Sequence, residues 1–303
     1  MENPYFSQIP PTKCLTDLAC ERKKADVKLP GVREKETNFP HTHLSEIRIT
    51  SKEGAESIGK PEGTYITVSH GPAFSLWGEI KQELLDVLEK ALRQLAEPHL
   101  QNKDKKKLTV LVAGLGNRRL TADAIGPRCA DVIHATYHLR TMATDIFSGM
   151  DCAGICVLCP GVLAQTGLEA ASLVCEAAKT IKPDLIIAID ALAARSVTRL
   201  ARTIQLCDTG VEPGGGIGNR RTPITKESTG CPVIAIGVPT VVHSTTLVFD
   251  ALEGTNAPSL QEDLLSQLKE DGFFVSPKDI DQTTDTLALI IAEAINHLWG
   301  IVQ

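Results

Sequence analysis

The sequence has no surplus of basic residues and no long hydrophobic run. Lys and Arg number 31 against 37 Asp and Glu, which gives a net charge of −6. Proteins that bind nucleic acid directly usually carry a basic excess, so we expect no nucleic-acid partner. A membrane helix needs about 18 apolar residues in succession, whereas the longest apolar stretch, around residues 233–242, is interrupted by Gly237 and Pro239. The N-terminal residues also lack the features of a secretory signal. The sequence therefore predicts a cytoplasmic protein with no membrane partner.

The cysteines give little sign of disulfides or of a metal site. There are nine, an odd number, and they lie mostly in apolar surroundings, which favours free thiols in a reducing compartment. Cys152, Cys156 and Cys159 have the C-x3-C-x2-C spacing of radical-SAM iron–sulfur enzymes. Cys156 falls inside a predicted strand, where neighbouring side chains point to opposite faces, and no glycine-rich SAM-binding context surrounds it. We expect neither a metal nor a cofactor.

From residue 108 onward, short apolar runs alternate with amphipathic segments. The apolar runs contain β-branched residues, as in strands covered on both faces of a parallel sheet, and they span residues 108–113, 154–158, 185–189 and 233–237. Helical spacing predicts helices over residues 79–95, 124–139, 168–181, 245–252 and 284–302. Strand patterns at residues 46–50 and 65–68 add a β region before them. The predicted fold class is α/β, a mostly parallel sheet flanked by helices, with an added N-terminal β region.

Two aspartates occupy positions where an α/β sheet usually has its active site, at the carboxyl ends of the strands. Asp190 follows the third apolar run, and Asp123 follows the glycine turn after the first. If these two strands are neighbours, the carboxyl groups meet, and their pKa values are pushed apart so that one serves as acid and the other as base. The alternatives are a helix N-cap for Asp123 and a loop anchor for Asp190.

Several other residues near predicted strand ends have two possible interpretations. Asp208 begins an Asp-Thr-Gly sequence typical of pepsin-like proteases, but those proteins are all-β, so a structural or supporting role fits better. The glycine-rich segment 210–218 can form an anion-binding or oxyanion-type site or a flexible loop. His243 can join the site or satisfy a loop. The residues considered as support for the site or as a substrate loop are Asn117, Asp208, Gly214, Gly216, Asn219 and His243.

Six segments resemble, in the same order, the germination protease family of spore-forming Firmicutes. They are residues 111–117 (LVAGLGN), 120–127 (LTADAIGP), 159–167 (CPGVLAQTG), 187–195 (IAIDALAAR), 203–210 (TIQLCDTG) and 232–242 (PVIAIGVPTVV). The resemblance covers about residues 14–250, and the combination of IDALAAR with AIGVPTVV is highly specific. It implies an α/β sandwich similar to that of the hydrogenase maturation endopeptidases.

The resemblance also implies an activity. Members are atypical aspartic-type endopeptidases that degrade small acid-soluble spore proteins during germination, and they are homotetramers made as zymogens. Their proposed catalytic aspartates match Asp123 and Asp190. Spore proteins are cut within a sequence close to Thr-Glu, then Phe or Ile, Ala, Ser, Glu, and residues 16–21 of this chain read TDLACE. We therefore predict self-cleavage between Asp17 and Leu18, with a propeptide over residues 1–17 and one peptidase domain over residues 18–303.

The sequence departs from the family pattern at four positions without losing either aspartate. Ala122 replaces a usual Pro, Gly215 a usual Ser, His243 a usual Asp, and Cys20 a small residue. Three alternatives remain. The first is a metal-dependent maturation-type peptidase in which both aspartates and His243 hold a divalent ion. The others are an inactive binding homologue and an enzyme that handles phosphate through its glycine loop.

Overall fold

The chain forms one mixed β-sheet flanked by helices. The computed structural model describes residues 16–22, 29–100, 103–215, 221–244, 247 and 273–301. The strands in these ranges are β1 (Val32–Asn38), β2 (His43–Ile49), β3 (Gly63–Ser69), β4 (Thr109–Gly114), β5 (Gly154–Leu158), β6 (Leu185–Ala194), β7 (Thr203–Cys207), β8 (Val233–His243) and β9 (Phe274–Val275). Their order is β1-β2-β3-β7-β8-β6-β4-β5, with β9 paired to β8. The predicted α/β fold class is confirmed.

Helices cover both faces of the sheet. They are α1 (Lys52–Ile58), α2 (Gly78–Leu100), α3 (Ile125–Val132), α4 (Leu139–Met142), α5 (Thr144–Gly149), α6 (Leu163–Thr166), α7 (Ala170–Ile181), α8 (Lys226–Thr229) and α9 (Ile280–Trp299). The predicted helix over residues 124–139 is interrupted, because α3 ends at Val132. The predicted helix over residues 245–252 lies, apart from residue 247, outside the described residues. In the part of the chain that the structure describes, none of the helices has the length and hydrophobicity of a membrane span.

The parallel half of the sheet is buried on both sides. Strands β4, β5, β6 and β8 pair in parallel, and β4 lies between β5 and β6. The strand before Asp123 and the strand that contains Asp190 are therefore neighbours. Val110 and Val112 of β4 belong to the core formed with α2, α3 and α9. Leu111 and Ala113, on the other face, belong to the core formed with α7. Burial on both faces explains why these strands are continuous apolar runs in the sequence.

The antiparallel half adds the N-terminal β region to the same sheet. Strands β1, β2 and β3 are antiparallel, and β7 joins β3 to β8. Helix α1 lies between β2 and β3, where no helix was predicted. Its N-cap is Ser51, whose hydroxyl accepts a hydrogen bond from the Gly54 N–H at 3.2 Å. Strand β1 has no apolar face, since most of its residues are exposed, and the hydrophobic pattern therefore gave no sign of it.

Two strands extend beyond their apolar runs. Strand β6 continues through Asp190 to Ala194, and β8 continues through Pro239 to His243. The prediction that Asp190 follows the end of a strand is therefore wrong: Asp190 lies inside β6, opposite Gly237 of β8. The two strands stay paired as far as Ala194 and Val242, with a register shift between Leu192 and Ala193. Hydrogen bonding between β6 and β8 keeps both strands extended beyond their apolar runs, and the sequence pattern does not reveal this pairing.

Helix α3 approaches the ends of β4 and β6 closely enough to require glycine. A Cβ at Gly126 would lie 2.3 Å from the Leu115 carbonyl oxygen and 2.5 Å from the Ile189 carbonyl oxygen. A Cβ at Gly114 would lie 2.4 Å from the Gly126 carbonyl oxygen. These contacts are with backbone atoms, which cannot move aside as a flexible side chain can. The helix that follows Asp123 is therefore fixed against both central strands.

Replacing Gly126 with Ala should destabilise the protein. The added methyl group must push α3 away from the two strands, and overpacking of this kind typically costs about 1–3 kcal/mol. We expect the free energy of unfolding, measured by urea titration, to fall by about 2–3 kcal/mol. Gly149→Ala is the matched control, because its Cβ would meet nothing within 4 Å. Equal stability of the two variants would contradict the close contact.

Candidate active site

Asp190 is a buried carboxyl group on a central strand. Only 6% of the residue is exposed. Its Oδ1 accepts a hydrogen bond from the Ala191 N–H at 2.9 Å. Burial, and next the negative charges of Asp123 and Asp17, raise the pKa of Asp190 well above its ordinary value. These surroundings therefore favour the neutral form of the carboxyl group over the charged one.

Asp123 lies in a short 3-10 turn, Thr121–Asp123, between β4 and α3. The Asn117 N–H donates to its Oδ2 at 2.9 Å. Gly116 has a positive φ of 111°, and a Cβ there would lie 2.9 Å from Asp123 Oδ1, so the turn requires glycine at this position. On the other side, the Thr240 hydroxyl of β8 donates to the Ala122 carbonyl at 2.5 Å. Contacts from the turn after β4 and from β8 therefore hold Asp123 in position.

The two aspartates differ in their surroundings. Burial raises the pKa of Asp123, and the hydrogen bond from Asn117 opposes the rise. Neither alternative interpretation fits the structure: the N-cap of α3 is Ala124 without a side-chain cap, and Asp190 is inside a strand. Strand β6 and the turn after β4 bring the two residues close enough for the charge of Asp123 to raise the pKa of Asp190.

Residues 16–22 of the same chain lie along the part of β6 that follows Asp190. The Asp17 N–H donates to the Ala193 carbonyl at 2.9 Å, and the Ala193 N–H donates to Asp17 Oδ2 at 2.9 Å. Leu18 and Ala19 are both fully buried, at 0% exposure. Leu18 packs with Leu192 of β6, which lies two residues beyond Asp190. Residues 16–22 therefore follow the second half of β6, and the Asp17 carboxylate lies close enough for its charge to raise the pKa of Asp190.

The far end of this stretch is held by charge. The Glu21 carboxylate accepts hydrogen bonds from the Arg195 N–H at 2.7 Å and the Ser196 N–H at 2.8 Å. The Arg199 guanidinium lies 3.8 Å from Glu21, and the Thr16 hydroxyl also donates to this carboxylate. An acidic side chain four residues after Asp17 is thus bound where β6 ends.

Gln205 is a site residue that the sequence analysis missed. It lies on β7 opposite Gly237 and is 6% exposed. Its Nε2 donates to the Asp17 carbonyl at 3.2 Å, and its Oε1 accepts from the Ala19 N–H at 2.7 Å. The sequence did contain a sign of it, a polar residue between the apolar Ile204 and Leu206. A polar side chain that is buried in a strand is usually hydrogen-bonded to a specific partner.

Some of the residues predicted to support the site or to form a substrate loop do lie near it. Asn117 supports Asp123, and the glycine-rich segment approaches the site, since a Cβ at Gly215 would lie 3.6 Å from Asp17 Oδ1. Gly214 lies in the same described part of this segment, at a positive φ of 73°. The predicted loop residues Gly216 and Asn219 lie outside the described residues.

Asp208 and His243 lie away from the pair. Asp208 follows the pairing of Cys207 with Ala235 and accepts from the Thr64 N–H at 2.7 Å, which anchors β3 to β7. His243 is at the end of β8, where its ring meets Phe274 edge-on and burial lowers its pKa. Within the described ranges, no group of three or more His, Cys, Asp or Glu is arranged to hold a metal ion.

Comparisons with known proteins show the family to which the chain belongs. The family model for germination proteases matches residues 13–255. The germination protease of Caldanaerobacter subterraneus subsp. tengcongensis is 37% identical over 307 residues, covering 93% of this chain and 92% of its own. That of Clostridium perfringens is 35% identical over 310 residues, covering 93% of each. The chain is therefore a peptidase with an α/β fold. It belongs to the germination protease family.

A solved structure shares the general arrangement only weakly. A NiFe hydrogenase maturation protease from Thermococcus kodakarensis is 19% identical and covers 67% of this chain and 99% of its own, with a TM-score of 0.36. A score this low carries no argument about fold or mechanism.

Asp190→Asn should stabilise the folded protein at neutral pH. The carboxyl pKa is higher in the folded state than in the unfolded state, where it is about 3.9. The stability this group contributes is therefore present at low pH and is lost as pH rises toward the folded pKa. Asn keeps the acceptor for the Ala191 N–H without a charge. We expect a melting temperature a few degrees above wild type at pH 7, and a difference that shrinks toward pH 4, by scanning calorimetry. A less stable variant at pH 7 would contradict the buried carboxyl group.

Proposed function

We propose that this chain is an endopeptidase that first cuts itself between Asp17 and Leu18 and then degrades small acid-soluble spore proteins in the germinating spore. In this proposal residues 1–17 are a propeptide, and Asp123 and Asp190 are the catalytic pair. The observation that carries it is that Asp17 is hydrogen-bonded to Ala193, three residues beyond the buried Asp190 on the same strand, and lies close enough for its charge to raise the pKa of Asp190. The family resemblance extends the proposal to a homotetramer in the spore core, which light scattering on the purified protein can test.

The different surroundings of the aspartates assign their roles. Asp190 is the more buried and faces two negative charges, so it holds a proton and acts as the acid. Asp123 accepts an amide N–H that stabilises its charge, so it acts as the base. Asp123 takes a proton from water as the oxygen bonds to the Asp17 carbonyl carbon. The C–N bond then breaks, and Asp190 gives its proton to the Leu18 nitrogen.

The contacts of residues 16–22 supply the expected preferences. The Asp17 carboxylate accepts a hydrogen bond from the Ala193 N–H. It also interacts with the Lys60 ammonium group: burial lowers the pKa of Lys60, and the negative charge of Asp17 partly opposes that fall. Leu18 packs with Leu192 and Ala194, which favours an apolar side chain, and Ala19 belongs to a buried cluster with Ile47 and Tyr65, which favours a small one. Cys20 packs against both clusters, which also favours a small side chain, and Glu21 is bound at the end of β6. The sequence selected is therefore acidic, apolar, small, small, acidic.

Asp123→Asn and Asp190→Asn should each abolish self-cleavage. Each change removes one partner of the proton transfer while preserving shape. We expect the wild-type chain to lose residues 1–17, as seen in its intact mass, and both variants to keep the full mass. Because the bond lies in the site of its own chain, the wild-type half-time should not depend on protein concentration.

Asp208→Asn is the matched control, since it also changes an aspartate but one that anchors β3 and lies outside the site. It should cleave at the wild-type rate. Cleavage by either Asp123→Asn or Asp190→Asn would remove that residue from the mechanism. A wild-type chain that cuts neither itself nor a small acid-soluble spore protein would instead be an inactive binding homologue.

A further inference from the structure

We propose that Gln205 donates a hydrogen bond to the carbonyl oxygen of the bond that is cut and stabilises the negative charge that forms there. This role rests on the proposed function, because it requires Asp17–Leu18 to be the scissile bond. Gln205 Nε2 lies 3.2 Å from the Asp17 carbonyl oxygen, and Oε1 lies 2.7 Å from the Ala19 nitrogen. The amide group therefore binds the backbone on both sides of Leu18.

The orientation of the Gln205 amide is fixed by its partners. The Ala19 N–H can only donate, so the atom facing it must be the amide oxygen. The Asp17 carbonyl can only accept, so the atom facing it must be the NH₂ group. A flipped amide would place donor against donor and acceptor against acceptor in a buried site. The donor is thus held toward the scissile carbonyl before any reaction begins.

The sheet places this amide on the same face as Asp190. Asp190, Gly237 and Gln205 are aligned across three adjacent strands, β6, β8 and β7. Side chains aligned in this way point to the same face of the sheet. Gly237 has no side chain, and Leu192 fills that space, since a Cβ at Gly237 would lie 2.3 Å from Leu192 Cδ1. The acid and the amide therefore lie on either side of Leu192, against which Leu18 packs.

The chemistry needs a donor at this oxygen. When water adds to the Asp17 carbonyl carbon, the π electrons of the carbonyl move to its oxygen, which becomes negatively charged in a buried site. The Gln205 N–H stabilises that charge without transferring its proton. When the C–N bond breaks, the carbonyl forms again and the proton from Asp190 leaves with the Leu18 amine. Removing one donor of this kind typically slows catalysis by about 10²–10³-fold.

Gln205→Glu tests the donor separately from the backbone contact. Glutamate keeps an oxygen for the Ala19 N–H but loses the NH₂ group. At pH 7 we expect self-cleavage, followed by intact mass, to slow by about 10²–10³-fold. As the pH falls, the glutamic acid gains an O–H that can donate to the Asp17 carbonyl, so the rate relative to wild type should recover. Gln205→Ala has no donor at any pH and should show no such recovery.

Two controls separate this role from general damage. Gln82→Glu removes an amide on the exposed side of α2, where it donates to Asp86, and should cleave within about twofold of wild type. In an Asp190→Asn background, which keeps the chain intact, Gln205→Glu should preserve the slow hydrogen exchange of the Ala19 amide. That result would show that residues 16–22 remain bound.

Two results would overturn the role of Gln205. One is cleavage by Gln205→Glu at nearly the wild-type rate. The other is a cleavage rate in Gln205→Glu that is reduced by the same factor at every pH, together with fast hydrogen exchange of the Ala19 amide. That result would mean that Gln205 only holds residues 16–22 in place. Failure of the wild type to cut between Asp17 and Leu18 would remove the proposed function itself, and the intact mass of the wild type distinguishes that case from the first two.

Discussion

A carboxyl group buried inside a continuous strand is the constraint on which the rest of the site depends. Asp190 is expensive to ionise where it lies, because it has lost its water and faces Asp123 and Asp17. The neutral form of the group is the less costly one, and in the proposed mechanism it is the form that donates the proton. Stability and the proposed catalytic role therefore oppose each other at this residue, as is common where function demands a strained or desolvated group.

The surrounding fold serves to hold the second aspartate near the first. Gly114 and Gly126 let α3 approach the ends of β4 and β6, and Gly116 lets the chain turn around Asp123. Thr240 ties the same turn to β8. A small displacement of α3 would therefore change the distance between the two carboxyl groups.

The sequence predicted the parallel strands and both aspartates because each depends on local pattern. Buried strands are apolar runs, and Asp123 and Asp190 interrupt or follow such runs. The charged strand β1 gave no hydrophobic signal, and the extension of β6 past Asp190 depends on pairing with β8. Gln205 could not be assigned because its partners lie more than 180 residues away along the chain. His243 seemed near the site only while β8 was thought to end at Gly237.

The way residues 16–22 are fastened has a consequence for turnover. A cut between Asp17 and Leu18 would break one covalent bond, but it would leave Glu21 attached to the end of β6 and Arg22 attached to the Gly59 carbonyl. The new amino terminus would remain tethered in the cleft at a high local concentration and would compete with any incoming chain. If the chain cuts itself as proposed, maturation has two stages: hydrolysis supplies the free end, and withdrawal of that end from β6 determines when a second polypeptide can enter.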